Sequence, residues 1–343
     1  MWSRIARLAL IAGLGVALVF APSRSAPVHA LGQDACPEPN DSFQAACYLG
    51  PGAGALGFIS SPGDVDAYRI EVLDFSTDVH VEISQLPAAY AIEVADWNGD
   101  IFATSATAPD GAEVVETTVP IPGAYYIFVH SRGGGYSDSA PYLISRSLTY
   151  PGAKIPDILF SDEIREGSTE ATEGDTEFAT HTARGGKYTI AMKIPGAPQN
   201  ASQAWWTGFG PMLTDFTLTV DARVTNGANA GPQVFFRHHD NRNTYYVTVD
   251  TQDGQVGLSK QVDGTPTSGG WVPTSAVNTG SGVNRIVIRC FEDDILVNVN
   301  GEDVFHVTDS SLRDGRIGIG GITWGDPAIV SFDNLIITTP TEG

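Results

Sequence analysis

Short segments in which apolar and polar residues alternate, each closed by glycine or proline, recur along the chain. Residues 67–72 (AYRIEV), 79–83 (VHVEI), 91–95 (AIEVA) and 124–129 (AYYIFV) show the pattern most clearly. A period of two, with β-branched and aromatic residues on one face, is the signature of a half-buried strand. Long runs at helical spacing are missing. One short helix is expected at 42–49, with Asp41 or Ser42 as its cap. The 38 glycines and 21 prolines are spread as punctuation between segments. The expected fold class is all-β, built as two β-sandwich domains.

The N-terminus has a different character. Arg4 and Arg7 precede an apolar run over 8–20, and Val28-His29-Ala30 offers small residues at the −3 and −1 positions of a cleavage site. This is the layout of a secretory signal peptide over 1–30. The apolar run is shorter than the roughly 20 residues a membrane span needs, and no later stretch approaches that length, so an exported chain with no span after cleavage is expected; retention as a signal-anchor is the alternative. The formal charge is −21, and losing Arg4, Arg7 and Arg24 takes it to −24. Three basic residues face sixteen acidic ones in 31–150, and thirteen face twenty-four in 151–343. Such a surface repels phosphate backbones, which argues against nucleic acid as a partner. It suits solubility, basic ligands or divalent cations. Cys36 and Cys47, eleven residues apart in an exported chain, are expected to form a disulfide. Cys290 continues the alternation of Ile286 and Ile288 and is expected to be a small buried apolar group.

Strand patterning stops near residues 150–156 and returns at 187–194. It is clear over 216–224, 233–237, 245–250, 285–291, 295–299, 316–319 and 329–337. This divides the chain into the signal segment 1–30, a first sandwich over 31–150, a linker with an acidic loop over 151–178, and a second sandwich over 179–343 that may begin near 157. Asn300-Gly301 between two apolar runs is a hairpin turn.

Two acidic clusters bear on metal binding: Glu38, Asn40 and Asp41, and Asp64 with Asp66. Residues two apart on a strand share a side, so the last pair can converge. Calcium takes six to eight oxygen ligands and offsets the repulsion of close carboxylates. Residues 38–46 (EPNDSFQAA), 57–59 (GFI), 62–70 (PGDVDAYRI) and 122–129 (PGAYYIFV) together resemble a bacterial pre-peptidase C-terminal domain, over residues 36 to about 148. The resemblance implies a small β-sandwich appended to secreted proteins, with collagen-binding modules among its members. In calcium-binding members these motifs hold the ion, which implies Glu38, Asn40, Asp41, Asp64 and Asp66 as ligands here. Residues 96–100 (DWNGD) look superficially like a calcium loop but lack flanking helices and further acids, and read as a hairpin turn.

In the second half, residues 234–237 (VFFR), 240–249 (DNRNTYYVTV), 255–260 (QVGLSK), 270–271 (GW), 284–288 (NRIVI), 297–301 (VNVNG), 314–318 (DGRIG) and 331–335 (SFDNL) resemble a concanavalin A-like, laminin-G-type jelly roll over roughly 157–339. Carbohydrate-binding modules, laminarinase-like glucanases and 3-keto-disaccharide hydrolase domains are relatives of that fold. Glucanases of this shape carry a Glu-x-Asp-x-Glu strand, which is absent here. Glu292-Asp293-Asp294 and His238-His239-Asp240 both read as surface turns. No metalloprotease, serine hydrolase or phosphate-loop motif occurs. No catalytic residue is assigned.

What remains is a binding face. Alternation puts Tyr245, Val247 and Val249 in the core and Tyr246, Thr248 and Asp250 opposite, and it turns Arg237, Arg289 and Asn298 away from their apolar neighbours. Trp205, Trp206, Trp271 and Trp324 are placed to rim this face. Aromatic rings with arginine and amide groups are the composition that holds sugars. Jelly rolls of this type also hold a structural calcium, for which Asp162 and Asp333 are candidates. The expectation is a secreted, non-catalytic protein binding extracellular polysaccharide or a matrix polymer, with Ca2+ stabilising the domains. A glycoside hydrolase with an unrecognised carboxylate pair, and a structural envelope protein, stand as alternatives.

Overall fold

Alternation along the first half becomes two stacked sheets because each strand has one apolar face to hide. The structure, a computed structural model, describes residues 34–51, 54–108, 110–152, 155–162, 173–196 and 201–340, with all of their side chains except those of 162 and 205–209. The expected signal segment, 1–30, lies outside the described residues. Among the described residues there are strands, turns and bends, and no helix.

One five-stranded sheet of the first sandwich runs Cys47–Tyr48, Val65–Val72, Gly123–Ser131, Tyr90–Ala95, Ile101–Thr104. The other runs Ala55–Gly57, Tyr142–Thr149, Thr77–Ser84, Glu113–Val119, Ala106–Thr107. Every second residue of the predicted segments points between them: Tyr68, Ile70 and Val72, then Val79, Val81 and Ile83, then Ile92 and Val94, then Tyr125, Ile127 and Val129. Cys36 and Cys47 form the expected disulfide.

The second sandwich is larger. Its back sheet runs Gly174–Asp175, Ala179–Arg184, Lys187–Met192, Ile329–Thr338, Phe216–Asn226, Asn284–Phe291, Asp294–Val299, Glu302–Thr308, with Ile158–Asp162 also paired to Ile329–Thr338. Its front sheet runs Ser202–Leu213, Gly315–Thr323, Ala230–Asp240, Asn243–Asp250, Gln255–Val262, Thr265–Pro273. Phe216, Leu218, Val220, Val234, Phe236, Tyr245, Val247, Val249, Ile286 and Ile288 fill the space between. Cys290 is a buried free thiol among them. Asn300 and Gly301 both have positive φ (51° and 95°) and join two antiparallel strands, the geometry that Asn-Gly hairpins require. The architecture is all-β, and the second sandwich is a jelly roll.

The outward face of the back sheet is not left to solvent. Thr217, Thr219, Asp221, Arg285, Val287 and Thr338 on it are buried. Arg285 Nη2 donates to the Ala124 carbonyl across 3.0 Å, and Thr338 Oγ1 donates to the Leu73 carbonyl across 3.4 Å. Residues 34–343 thereby form one compact unit.

Three local expectations change. Residues 42–49 make a single turn, with Ala45 N donating to the Ser42 carbonyl, instead of a helix. Eight residues are too few to sustain a helix without packing, and Cys47–Tyr48 instead pairs in parallel with Val65–Val72. The acidic stretch 161–177 is not all loop. Asp162 pairs with Leu335, and Gly174–Asp175 with Thr180 and His181, while residues 163–172 lie outside the described residues. His238, His239 and Asp240 end the strand Ala230–Asp240, and His238 is buried beside Arg316. The turn itself is residues 241–242.

Candidate functional site

Two places gather polar chemistry. The first lies where the disulfide holds the opening segment against Val65–Val72. Carboxylate oxygens of Glu38, Asp64 and Asp66 come within 4.8 Å of one another. Asn40 is fully buried beside them; its Nδ2 donates to Asp66 Oδ1 at 2.8 Å and to the Cys36 carbonyl at 2.6 Å, and its Oδ1 has no partner among the described residues. Asp66 Oδ2 accepts from Tyr142 Oη, and Asp64 Oδ2 accepts from Ser60 Oγ at 2.7 Å.

This crowding has an electrostatic consequence. Burial pushes the Asp66 carboxyl up to about 7, and the neighbouring Asp34 and Asp64 push the same way against the Tyr142 and Asn40 hydrogen bonds. Glu38 is raised by burial and then by Asp64 and Asp41, and Asp34 by burial and Asp64. Converging acids with an orphaned amide oxygen, all oxygen donors, fit a hard divalent cation such as calcium. Of the five sequence candidates, Glu38, Asp64 and Asp66 converge and Asn40 joins them. Asp41 stands outside the group, its Oδ1 accepting from Val65 N at 3.2 Å.

Of the second pair of metal candidates, Asp162 pairs through its backbone with Leu335, two residues along the same strand from Asp333. Asp333 lies on the outward face of the back sheet, opposite Asp221 in register. The side chain of Asp162 lies outside the described residues. Burial and then Asp221 raise the Asp333 carboxyl to about 6.

The second place is the outer face of the front sheet. Register aligns Gly320, Gln233, Thr248, Gly257 and Trp271 in one cross-strand row. The next row is Gly318, Phe235, Tyr246, Ser259 and Ser268. Trp271 is 43% exposed and rests on Gly257, where a Cβ would stand 3.0 Å from the indole. Trp324, just past the end of Gly315–Thr323, meets it edge to face at 5.8 Å. In the same row Gln233 and Thr248 are buried; Gln233 Nε2 donates to Thr248 Oγ1 at 3.0 Å, leaving Gln233 Oε1 unpartnered among the described residues. Phe235 and Tyr246 stack obliquely at 5.6 Å. The result is an aromatic corner at the end of a row that carries two buried polar side chains.

Four expected residues, Tyr246, Thr248, Trp271 and Trp324, meet on this face, and three others do not. Arg237 has a positive φ of 45° at a register break, which turns it off the alternation. It is fully buried at one end of the sandwich and donates to the carbonyls of Leu312, Thr214 and Glu292. Arg289 lies on the back sheet with its guanidinium 5.8 Å from the Phe75 ring of the first sandwich. Asn298, on the back sheet too, donates to Asp303 Oδ1 and accepts from Gly301 N within its own hairpin. The side chains of Trp205 and Trp206 lie outside the described residues. Gln233 and Gly257, in the same cross-strand row as Trp271, are residues the sequence reading passed over. Gln233 was legible from its alternation with buried Val234 and Phe236.

No family model matches the chain, and no curated protein matches it. Among solved structures, a carbohydrate-binding module from Bacillus subtilis is similar at 16% identity and a TM-score of 0.34, covering 50% of this chain and 92% of its own. A Bacillus licheniformis β-glucanase is similar at 10% identity and 0.39, covering 55% and 100%. The laminarinase catalytic domain of Thermotoga maritima is similar at 10% identity and 0.40, covering 55% and 100%. Each likeness spans about half of this chain.

Proposed function

We propose that this is an exported binding protein that holds an extracellular polysaccharide or matrix polymer on the front sheet of its jelly roll. The observation that carries the reading is the Trp271–Trp324 pair at the end of the cross-strand row that holds Gln233 and Thr248. Indole faces take the apolar side of a sugar ring while amide and hydroxyl groups bond its hydroxyls. Asp250, the acid on this face of Asn243–Asp250, is committed to the following turn, accepting from Gln252 N, Asp253 N and Gln255 Nε2. A retaining glycosidase needs two free carboxyl groups about 5 Å apart, and a committed Asp250 favours holding a chain over cutting one. The disulfide fits an oxidising, extracellular setting.

The first sandwich we read as a pre-peptidase C-terminal-type domain with a structural calcium held by Glu38, Asp64, Asp66 and the Asn40 carboxamide oxygen. The ion supplies the positive charge that lets three carboxylates share one pocket. Retention of the full chain on immobilised polysaccharides, compared with the Trp271→Ala variant, tests the binding face. Retention lost in the variant supports it. A folded wild-type chain that no polymer retains sinks it.

A further inference from the structure

Where the two sandwiches meet, a cleft of about 370 Å³ opens over the outward face of the back sheet. One wall is aromatic and comes from the first sandwich: Phe43, Trp97 and Tyr126. The floor is polar and comes from three adjacent strands. Asp221 and Arg223 pair in register with Asp333 and Ser331, and Lys187 lies one residue before Tyr188, the register partner of Phe332.

The charges here run against the rest of the chain. Four charged groups line the cleft: Lys187, Asp221, Arg223 and Asp333. Asp221 is closed off, since Arg285 holds both its oxygens and Asn334 Nδ2 donates to one of them at 2.7 Å. Arg223 makes no side-chain hydrogen bond or ion pair among the described residues, and neither does Lys187. Two uncommitted cations therefore face one carboxylate, giving the cleft a local excess of positive charge in a chain whose total is −21. Exposed charges further than about 8 Å away are largely screened at physiological salt, so the lining groups decide what enters.

We propose that this cleft binds a carboxylate-bearing sugar, a uronic acid residue. A guanidinium meets a carboxylate through two parallel hydrogen bonds, and Arg223 is free to do so with Lys187 alongside. Asp333 and Ser331 accept from and bond to ring hydroxyls. The wall of Phe43 and Tyr126, themselves edge to face at 4.5 Å, covers the apolar side of the ring. A boundary between packed bodies is a common place for such a site, and the volume lies within the few-hundred-Å³ range of small-ligand pockets. The site is independent of the front-sheet face.

Isothermal titration of the full chain with D-glucuronic acid, D-glucose and acetate tests this. Glucuronate is expected to bind at least tenfold more tightly than either of the others, and Arg223→Ala to weaken it at least tenfold. Trp271→Ala should leave it unchanged. If Arg223→Ala fails to fold, Arg223→Gln keeps the side-chain length and is judged by the same criterion. Glucuronate binding no better than glucose or acetate overturns the proposal, as does binding indifferent to Arg223 or abolished by Trp271→Ala.

Discussion

Arg285 holds Asp221 in a two-point ion pair, Nε to Oδ1 at 2.8 Å and Nη2 to Oδ2 at 2.9 Å, while its guanidinium carbon lies 3.9 Å from the centre of the Trp97 ring. One residue of the jelly roll thus grips an acid on its own sheet, an aromatic face of the first sandwich and, through Ala124, that sandwich's backbone. Arg285 is fully buried.

Removing one partner of a buried pair leaves the other charge without compensation, which typically costs about 3–5 kcal/mol. Arg285→Ala is therefore expected to lower unfolding free energy by several kcal/mol in urea, and Asp221→Ala in the same background to recover part of it. A loss no greater than a surface substitution would contradict this account.

Gly123 is the close approach that makes the grip possible. Its φ is 129°, and a Cβ there would stand 2.5 Å from the Arg285 Cζ. Gly123→Ala should destabilise the chain in the same urea assay, and less so when Arg285 is already alanine.

Chelating divalent metal is expected to lower the melting temperature by several degrees, because a ligand that binds the folded state alone stabilises it by mass action. Asp64→Ala should abolish most of the difference between calcium and chelator. An unchanged melt in excess chelator would remove the metal from the first sandwich.

Trp271→Ala or Trp324→Ala should weaken polysaccharide retention about tenfold, equivalent to about 1.4 kcal/mol. Gly257→Ala offers a subtler test, since its methyl would lift the Trp271 indole without removing it. Affinity electrophoresis reads all three.

Asp333 supplies a pH signature. Burial and Asp221 raise its folded-state value to about 6, against about 4 in an unfolded chain. Between those values the native state binds more protons, so stability falls as pH rises from about 4 to 6 and then levels off. The wild type should lose on the order of 2 kcal/mol relative to Asp333→Asn across that window. Parallel stability curves for the two proteins would refute the assignment.

Much of the scaffold is legible in the sequence. Alternation marked the central strands because each hides one face, and Asn300-Gly301 marked a turn only positive φ allows. The edges were less legible. Ser202–Leu213 and Thr265–Pro273 contain Gly208, Gly210 and Pro211, and Pro266, Gly269 and Gly270, which look like breakers, yet edge strands tolerate them. The candidate binding face was half legible. Alternation tells on which side of its own strand a residue lies, but not which of two sheets that strand joins. Alternation therefore groups Tyr246 and Thr248 with Arg289 and Asn298, which belong to the other sheet. Arg237 was misplaced by a single left-handed residue in a bulge, which no period-two rule anticipates.

Burial of the back sheet's outward face against the first sandwich has a practical corollary. Excised alone, the jelly roll would present Val287, Thr219 and the Arg285–Asp221 pair raw to water, and the excised first sandwich would bare Trp97 and Tyr126. Neither fragment is a fair stand-in for the whole, and a truncation that aggregates would report on the severed seam rather than on what the intact molecule holds.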